Sequence, residues 1–226
     1  MARAGLPRTT VHRIRGALEQ EEFVTVDAVT GRLHLGPGLL SLAVASRRDL
    51  STAVDPYLAR LSSELNETVA LSVLDGIDVL CIAQHAAPQR ALMAVSRVGA
   101  RFPAFCTANG EALLAQLPLG EVERRLPKRL ESPAWQTPVA REDVLRELDE
   151  VRRTGRGFDR EEHQAGICST GVAIADIDGS AASISVLRPT ARFRADADVV
   201  SAALLRVRDE VQIVLGAADG CPGHDR

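Results

Sequence analysis

The stretch Gly5 to Phe23, GLPRTTVHRIRGALEQEEF, constrains this chain more than any other. Gly5 permits a tight turn, and Pro7 suits a first helical position, where its missing N–H is unbonded in any case. Val11, Ile14 and Leu18 then fall three and four residues apart, which predicts one amphipathic helix with an aliphatic seam. Thr9, His12, Arg13 and Gly16 point away from that seam, with Arg8 and Arg15 on its flanks. A helix that pins itself by aliphatic residues and presents Thr, His and Arg outward suits a major groove, where Arg can pair with guanine and hydroxyls can reach phosphates. Taken alone, the same run is equally a small surface helix with solvated arginines.

The next residues favour the groove. Phe23 to Val26 is a β-prone run, Asp27 to Gly31 a turn, and Arg32 to Leu35 a returning strand, which together predict a hairpin. Helix followed by hairpin is the second half of a winged helix-turn-helix. LPRTTVHRIRGALEQEEFV and then GRLHLGPGLLSLA resemble the IclR family of bacterial transcriptional regulators, with Thr10-Val11-His12-Arg13 as the recognition core and Leu35-Gly36-Pro37 leading out of the wing. The resemblance implies base or phosphate contacts from Thr9, Thr10, His12 and Arg13, and phosphate contacts from Arg8, Arg15 and Arg32. Two helices precede the recognition helix in that family, and Met1 to Ala4 is too short for them. The expectation is a partial head over 1–36, from a start codon placed too late or a truncated gene. The seam then lacks partners worth about 1.5–3 kcal/mol per buried side chain, so the head should be poorly ordered or borrow cover.

Composition bounds the rest. A chain of 226 residues with 46% hydrophobic content is globular. Residues 1–48 carry seven Arg against four acids, a net +3 in a chain whose total is −3, which leaves −6 for the remainder. A basic amino end on an acidic body fits local phosphate contact, not bulk polyanion binding. Cys81, Cys106, Cys168 and Cys221 show no Cys-x-x-Cys spacing and read as reduced thiols in a cytoplasmic protein. No run approaches the roughly 18 apolar residues of a membrane span.

Residues 37–50 read as a Leu- and Ala-rich linker helix, followed by a second helix from Leu50 to Leu65 that stops at Asn66. Beyond it, strands are predicted at Thr68–Leu74, Ile77–Ala83, Leu92–Val95, from Phe158 onward, Gly171–Ala175 and Ala181–Leu187. Helices are predicted at Thr107–Leu117, Glu121–Leu126, Glu142–Thr154 and Asp196–Leu215. This mixture predicts an α+β fold with an antiparallel sheet over 51–217 and a flexible tail over 218–226.

Asp159, Glu161, Glu162 and His163 are the densest titratable cluster and could serve a metal or acid–base chemistry, but neighbours in sequence diverge, and solvated loop charges are the simpler reading. Ser169 and Ser185 lack a nucleophile context, and no phosphate loop is present. Neither a catalytic constellation, a metal site nor a cofactor is expected. The IclR resemblance continues through Ser96-Arg97-Val98-Gly99, Pro103, Thr107-Ala108-Asn109-Gly110 and Phe158 to Glu162 with Gly166 beyond. It implies a GAF-like effector domain whose pocket takes a small organic or aromatic acid, lined here by Ala94, Phe102, Ala108, Asn109, Asp159, Ser169, Ser185 and Leu187. Helix-start N–H groups near Thr107 to Gly110 and the hydroxyls of Ser169 and Ser185 suit a carboxylate. This chain departs from the family pattern at Ser169, where Cys168 sits one place early, at Leu187 in a Ser-x-Ser strand, and at Asn109 in place of a small residue.

The resemblance thus implies a homodimer, assembling as a dimer of dimers, on a near-palindromic operator in double-stranded DNA, with ligand altering how two heads are spaced. The alternative is a stand-alone ligand-binding module that has lost DNA binding through truncation. An enzyme acting in the same pocket is a more distant rival.

Overall fold

The computed structural model describes residues 7–27, 30–90, 93, 94, 96–135, 137–175, 181–193 and 195–218. The chain divides into two compact units, Met1–Leu50 and Ser51–Arg226.

In the first unit, helix α1 (Arg8–Gln20) is followed by strands β1 (Val24–Val26) and β2 (Leu33–Leu35). The strands pair antiparallel with Thr25 opposite His34. Asp27 fixes the turn: its Oδ1 accepts the Thr30 N–H at 2.6 Å, and Gly31 adopts a left-handed φ of 66°. The chain leaves β2 against the end of α1. A Cβ on Gly36 would lie 2.0 Å from the Glu22 carbonyl oxygen, so only glycine allows that passage. Helix and hairpin match the sequence reading. The aliphatic seam is open among the described residues, with Val11 and Ile14 each 45% exposed and Leu18 37%.

Helix α2 runs unbroken from Gly38 to Leu65. The sequence reading split this span into a linker and a second helix at Arg47-Arg48-Asp49, but those residues are compatible with a helix interior, and only Pro56 interrupts the donor ladder.

The second unit is built on a six-stranded sheet in the order β5-β4-β3-β10-β9-β8, antiparallel throughout. Its strands are β3 (Thr68–Asp75), β4 (Asp78–His85), β5 (Arg101–Pro103), β8 (Gly157–Arg160), β9 (Ile167–Ala175) and β10 (Ala181–Pro189). Helices α3 (Ala108–Leu114), α4 (Leu119–Arg125) and α5 (Arg141–Thr154) fall between β5 and β8, with a small hairpin of β6 (Leu130–Ser132) and β7 (Thr137–Val139). Helices α6 (Thr190–Phe193) and α7 (Ala197–Ala218) follow β10.

Alternation along the central strands sorts two faces. Val69, Leu71, Val172, Ile174, Ile184 and Val186 are fully buried on the face that carries α7. Within this unit α7 is tied to α2 by the pairs Arg60–Glu210 and Arg206–Glu64. The other face carries α3, which touches β8, β9 and β10. Beyond it a second core forms from Phe105, Leu113, Leu114, Val122, Leu126, Leu130, Val144, Leu148 and Val151.

Several short elements differ from the sequence reading. Strands β5, β6 and β7 and helix α6 span three or four residues each, too few to establish a period. Met93 and Ala94 belong to no strand, although a strand was expected there; Leu92 and Val95 lie outside the described residues, as do the Asp176–Gly179 turn and nearly all of the tail. No helix among the described residues is long and apolar enough to cross a membrane.

Candidate functional site

The site forms where α3 meets the sheet. Gly157 on β8 and Gly171 on β9 are paired across the strands, and both face the start of α3. A Cβ on either would sit 2.4 Å or 2.6 Å from the Ala108 carbonyl oxygen. These two glycines let the helix backbone rest directly on the strands. The strand residues next along that face are then left uncovered by the helix, and a cavity of about 330 Å³ opens there.

Register supplies the walls. Asp159, Ser169 and Leu187 stand side by side on β8, β9 and β10, and Ser185 stands beside Ala70 of β3. Ser72, two places on from Ala70 along β3, reaches the cavity on the same face, while the register against β4 shifts at Leu71/Ser72. The remaining walls come from Met93, Ala94 and Ser96, from Phe102, Thr107 and Asn109, and from His163, Gln164 and Ile167.

Of the eight residues implied by the resemblance, Ala94, Phe102, Asn109, Asp159, Ser169, Ser185 and Leu187 line this cavity. Ala108 does not: it is fully buried, with its carbonyl turned onto Gly157 and Gly171. Its part is to seat the helix. Sequence reasoning did not name Ala70, Ser72, Met93, Ser96, Thr107, His163, Gln164 and Ile167 as lining residues. For Ala70 and Ser72 a signal was present, since small and polar residues alternate there with Val69, Leu71 and Val73.

The polar groups are held in place. Asn109 donates to Ser72 Oγ at 2.9 Å, and Thr107 Oγ1 donates to the Pro103 carbonyl at 2.9 Å. Helix α3 has only two turns, so its start offers a weak dipole. The Asp159–His163 segment corrects the solvated-charge reading. Asp159 is 4% exposed, and its Oδ1 accepts the N–H groups of Glu162 at 2.8 Å and His163 at 3.4 Å. The loop folds back because Ser132 donates to the Glu162 carbonyl at 2.6 Å, and His163 packs edge-on against Phe102 at 5.1 Å. Burial raises the Asp159 carboxyl to about 7, and the neighbouring Glu162 and Glu161 add to the rise against the two backbone donors. Burial lowers His163, so its ring is neutral near pH 7.

Behind this loop Glu111, Glu147 and Glu162 bring carboxylate oxygens within 4.8 Å of one another. Desolvation raises all three, and Glu111 Oε2 accepts the Phe158 N–H at 3.0 Å. The described cysteines, Cys81, Cys106 and Cys168, are buried free thiols, raised by desolvation.

In the first unit the residues expected to face DNA sit on α1 and the wing. Thr9, His12, Arg13 and Arg32 are exposed; Thr10 and Arg15 are half-buried, and Arg15 pairs with Glu19 at 3.2 Å. Arg8 opens α1, and its side chain lies outside the described residues.

A helix and wing in one unit, with a ligand-sized cavity on an antiparallel sheet in the other, is the build of a transcriptional regulator with an effector-binding domain. Residues 42–212 match the model of the bacterial transcriptional regulator IclR C-terminal family. The chain belongs to the IclR family of bacterial transcriptional regulators, which are not enzymes. It is 40% identical over 203 residues to the HTH-type transcriptional regulator Rv1719 of Mycobacterium tuberculosis, covering 90% of this chain and 78% of that one. Among solved structures it resembles an IclR-type regulator from Silicibacter sp. TM1040, with a TM-score of 0.83, 26% identity, and coverage of 96% and 87%. It shares its fold with an IclR homologue from Microbacterium hydrocarbonoxydans complexed with 4-hydroxybenzoate, with a TM-score of 0.76, 23% identity, and coverage of 95% and 88%.

Proposed function

We propose that this chain is a cytoplasmic DNA-binding transcriptional regulator whose cavity takes a small organic effector of about one ring. The observation that carries the reading is the cavity itself: a partly open space of about 330 Å³ whose walls mix Met93, Phe102, Ile167 and Leu187 with a few fixed polar groups. That is the smaller end of the range for small-molecule sites. The family resemblance favours an organic or aromatic acid, and the homologue solved with 4-hydroxybenzoate supports a single ring.

On the DNA side, Thr9, Thr10, His12 and Arg13 contact bases or phosphates, and Arg8, Arg15 and Arg32 contact phosphates. The outward exposure of Thr9 and Arg13 supports this. The working form is a homodimer, paired again into a dimer of dimers, on a near-palindromic operator. Ligand alters DNA binding only as far as it prefers one arrangement of the heads.

A gel-shift against the neighbouring intergenic region tests the proposal. The expected result is retardation that weakens with salt and is lost in Arg13→Ala. Equal retardation by Arg13→Ala, at all salt concentrations, would remove α1 from the interface.

A further inference from the structure

Register fixes where the cavity stops. On the sheet face that carries α3, Asp159, Ser169 and Leu187 form one row, and all three line the space. Ser185 and Ala70 line it from the next row, beside the Gly171 that α3 covers. The row after that is Ala173, Ser183 and Ser72, and of these only Ser72 lines the space. One side chain stands at this limit. Asn109, on the first turn of α3, donates from Nδ2 to Ser72 Oγ at 2.9 Å. The Ala108 carbonyl seats that turn on β8 and β9, whereas Ser72 belongs to β3, with β10 between. Strands β9 and β3 are two spacings apart, roughly 10 Å, so the amide bridges a real gap from helix to sheet. Asn109 is 9% exposed and Ser72 fully buried, and both line the cavity. In a close-packed interior, truncating such a side chain leaves space that relaxation reclaims only in part.

We propose that Asn109 sets the size of ligand this cavity takes: held by Ser72, it closes the inner end of the space, so that one ring fits and a second, fused ring is refused. This rests on the reading of the cavity as the effector site. The role is one of bulk. The volume of the side chain limits the ligand, and the bond to Ser72 keeps that volume in place. A space of about 330 Å³ is small for a ligand site, so a few atoms at its end decide which ring systems enter. One methylene more or less in an apolar pocket changes discrimination by about 10–200-fold.

Benzoate and 2-naphthoate carry the same head group on one ring and on two, and each is titrated calorimetrically into the full chain. The expected result is that benzoate binds at least about tenfold more tightly. In Asn109→Ala the ratio of the two affinities should move at least about tenfold toward 2-naphthoate. In Asn109→Leu, which keeps the bulk and removes the amide, the ratio should stay within about threefold of that of the unaltered chain. The comparison on the unaltered chain stands even if a variant fails to fold. 2-Naphthoate binding to the unaltered chain as tightly as benzoate overturns the inference and leaves the effector reading intact. An unmoved ratio in folded Asn109→Ala overturns it too, because another wall then sets the limit. A ratio that moves as far in Asn109→Leu as in Asn109→Ala does the same, since bulk is then not what refuses the second ring. Binding of neither acid, to the unaltered chain or to Asn109→Ala, defeats the effector reading, and the inference with it.

Discussion

Asp159 sets the terms at the scale of single residues. Its carboxyl rises to about 7 because burial, assisted by Glu162 and Glu161, outweighs two backbone hydrogen bonds. The ordinary value is 3.8, so between about pH 4 and pH 7 the folded chain holds a proton that the unfolded chain has lost. Stability therefore falls as pH rises through that window, by at most about 1.4 kcal/mol per pH unit for one group. Glu111, Glu147 and Glu162 are raised as well and push in the same direction. Urea midpoints measured from pH 5 to pH 8 should fall for the natural chain and fall less steeply for Asp159→Asn. Identical slopes would mean that Asp159 is not held protonated by its surroundings. The sequence placed Asp159 among the cavity residues by resemblance alone. Its burial was not legible, because the contacts that fold the loop inward come from Ser132, far along the chain.

Among the elements, α3 shows how little room the site allows. Gly171→Ala would put a methyl 2.6 Å from the Ala108 oxygen and 2.9 Å from the Asn109 nitrogen, both backbone atoms. The helix must lift, at a cost of about 1–3 kcal/mol. It would carry Thr107 and Asn109 away from the cavity, so ligand affinity should fall together with the denaturation midpoint. Gly120→Ala is the control: it sits on α4, where the nearest foreign atom is a flexible arginine tip at 3.8 Å, and it should be neutral or slightly stabilising. Equal loss from both substitutions would deny Gly171 its special place. The elements that could be read in sequence were the long ones, because α1, α5, α7, β3 and β10 repeat their periods several times. Strand β5 could not be read, since Arg101–Pro103 gains its strand character only from pairing with β4. The break expected near Arg48 in α2 failed for the opposite reason, as charged residues are good helix formers and do not by themselves end a helix.

At the scale of the whole molecule the open question is whether the two units share free energy. The sequence separates their charges, with a net +2 over residues 1–50 and −5 over the rest, which suits contact with phosphate at one end only. Charge separation alone couples nothing. If ligand in the cavity changes operator affinity by some factor, operator must change ligand affinity by the same factor, because both are legs of one closed cycle. Typical couplings of 1–3 kcal/mol correspond to about 5–150-fold. The measurement is therefore double: operator titrated with and without a saturating cavity ligand, and ligand titrated with and without saturating operator. Matching factors well away from one establish a regulator. A ligand that binds with no change in operator affinity leaves two independent binding units on one chain, the behaviour of a module whose sensing no longer reaches DNA. Because the two factors must agree, a mismatch would expose a change in assembly between the experiments, and repeating both at several chain concentrations would separate that change from coupling.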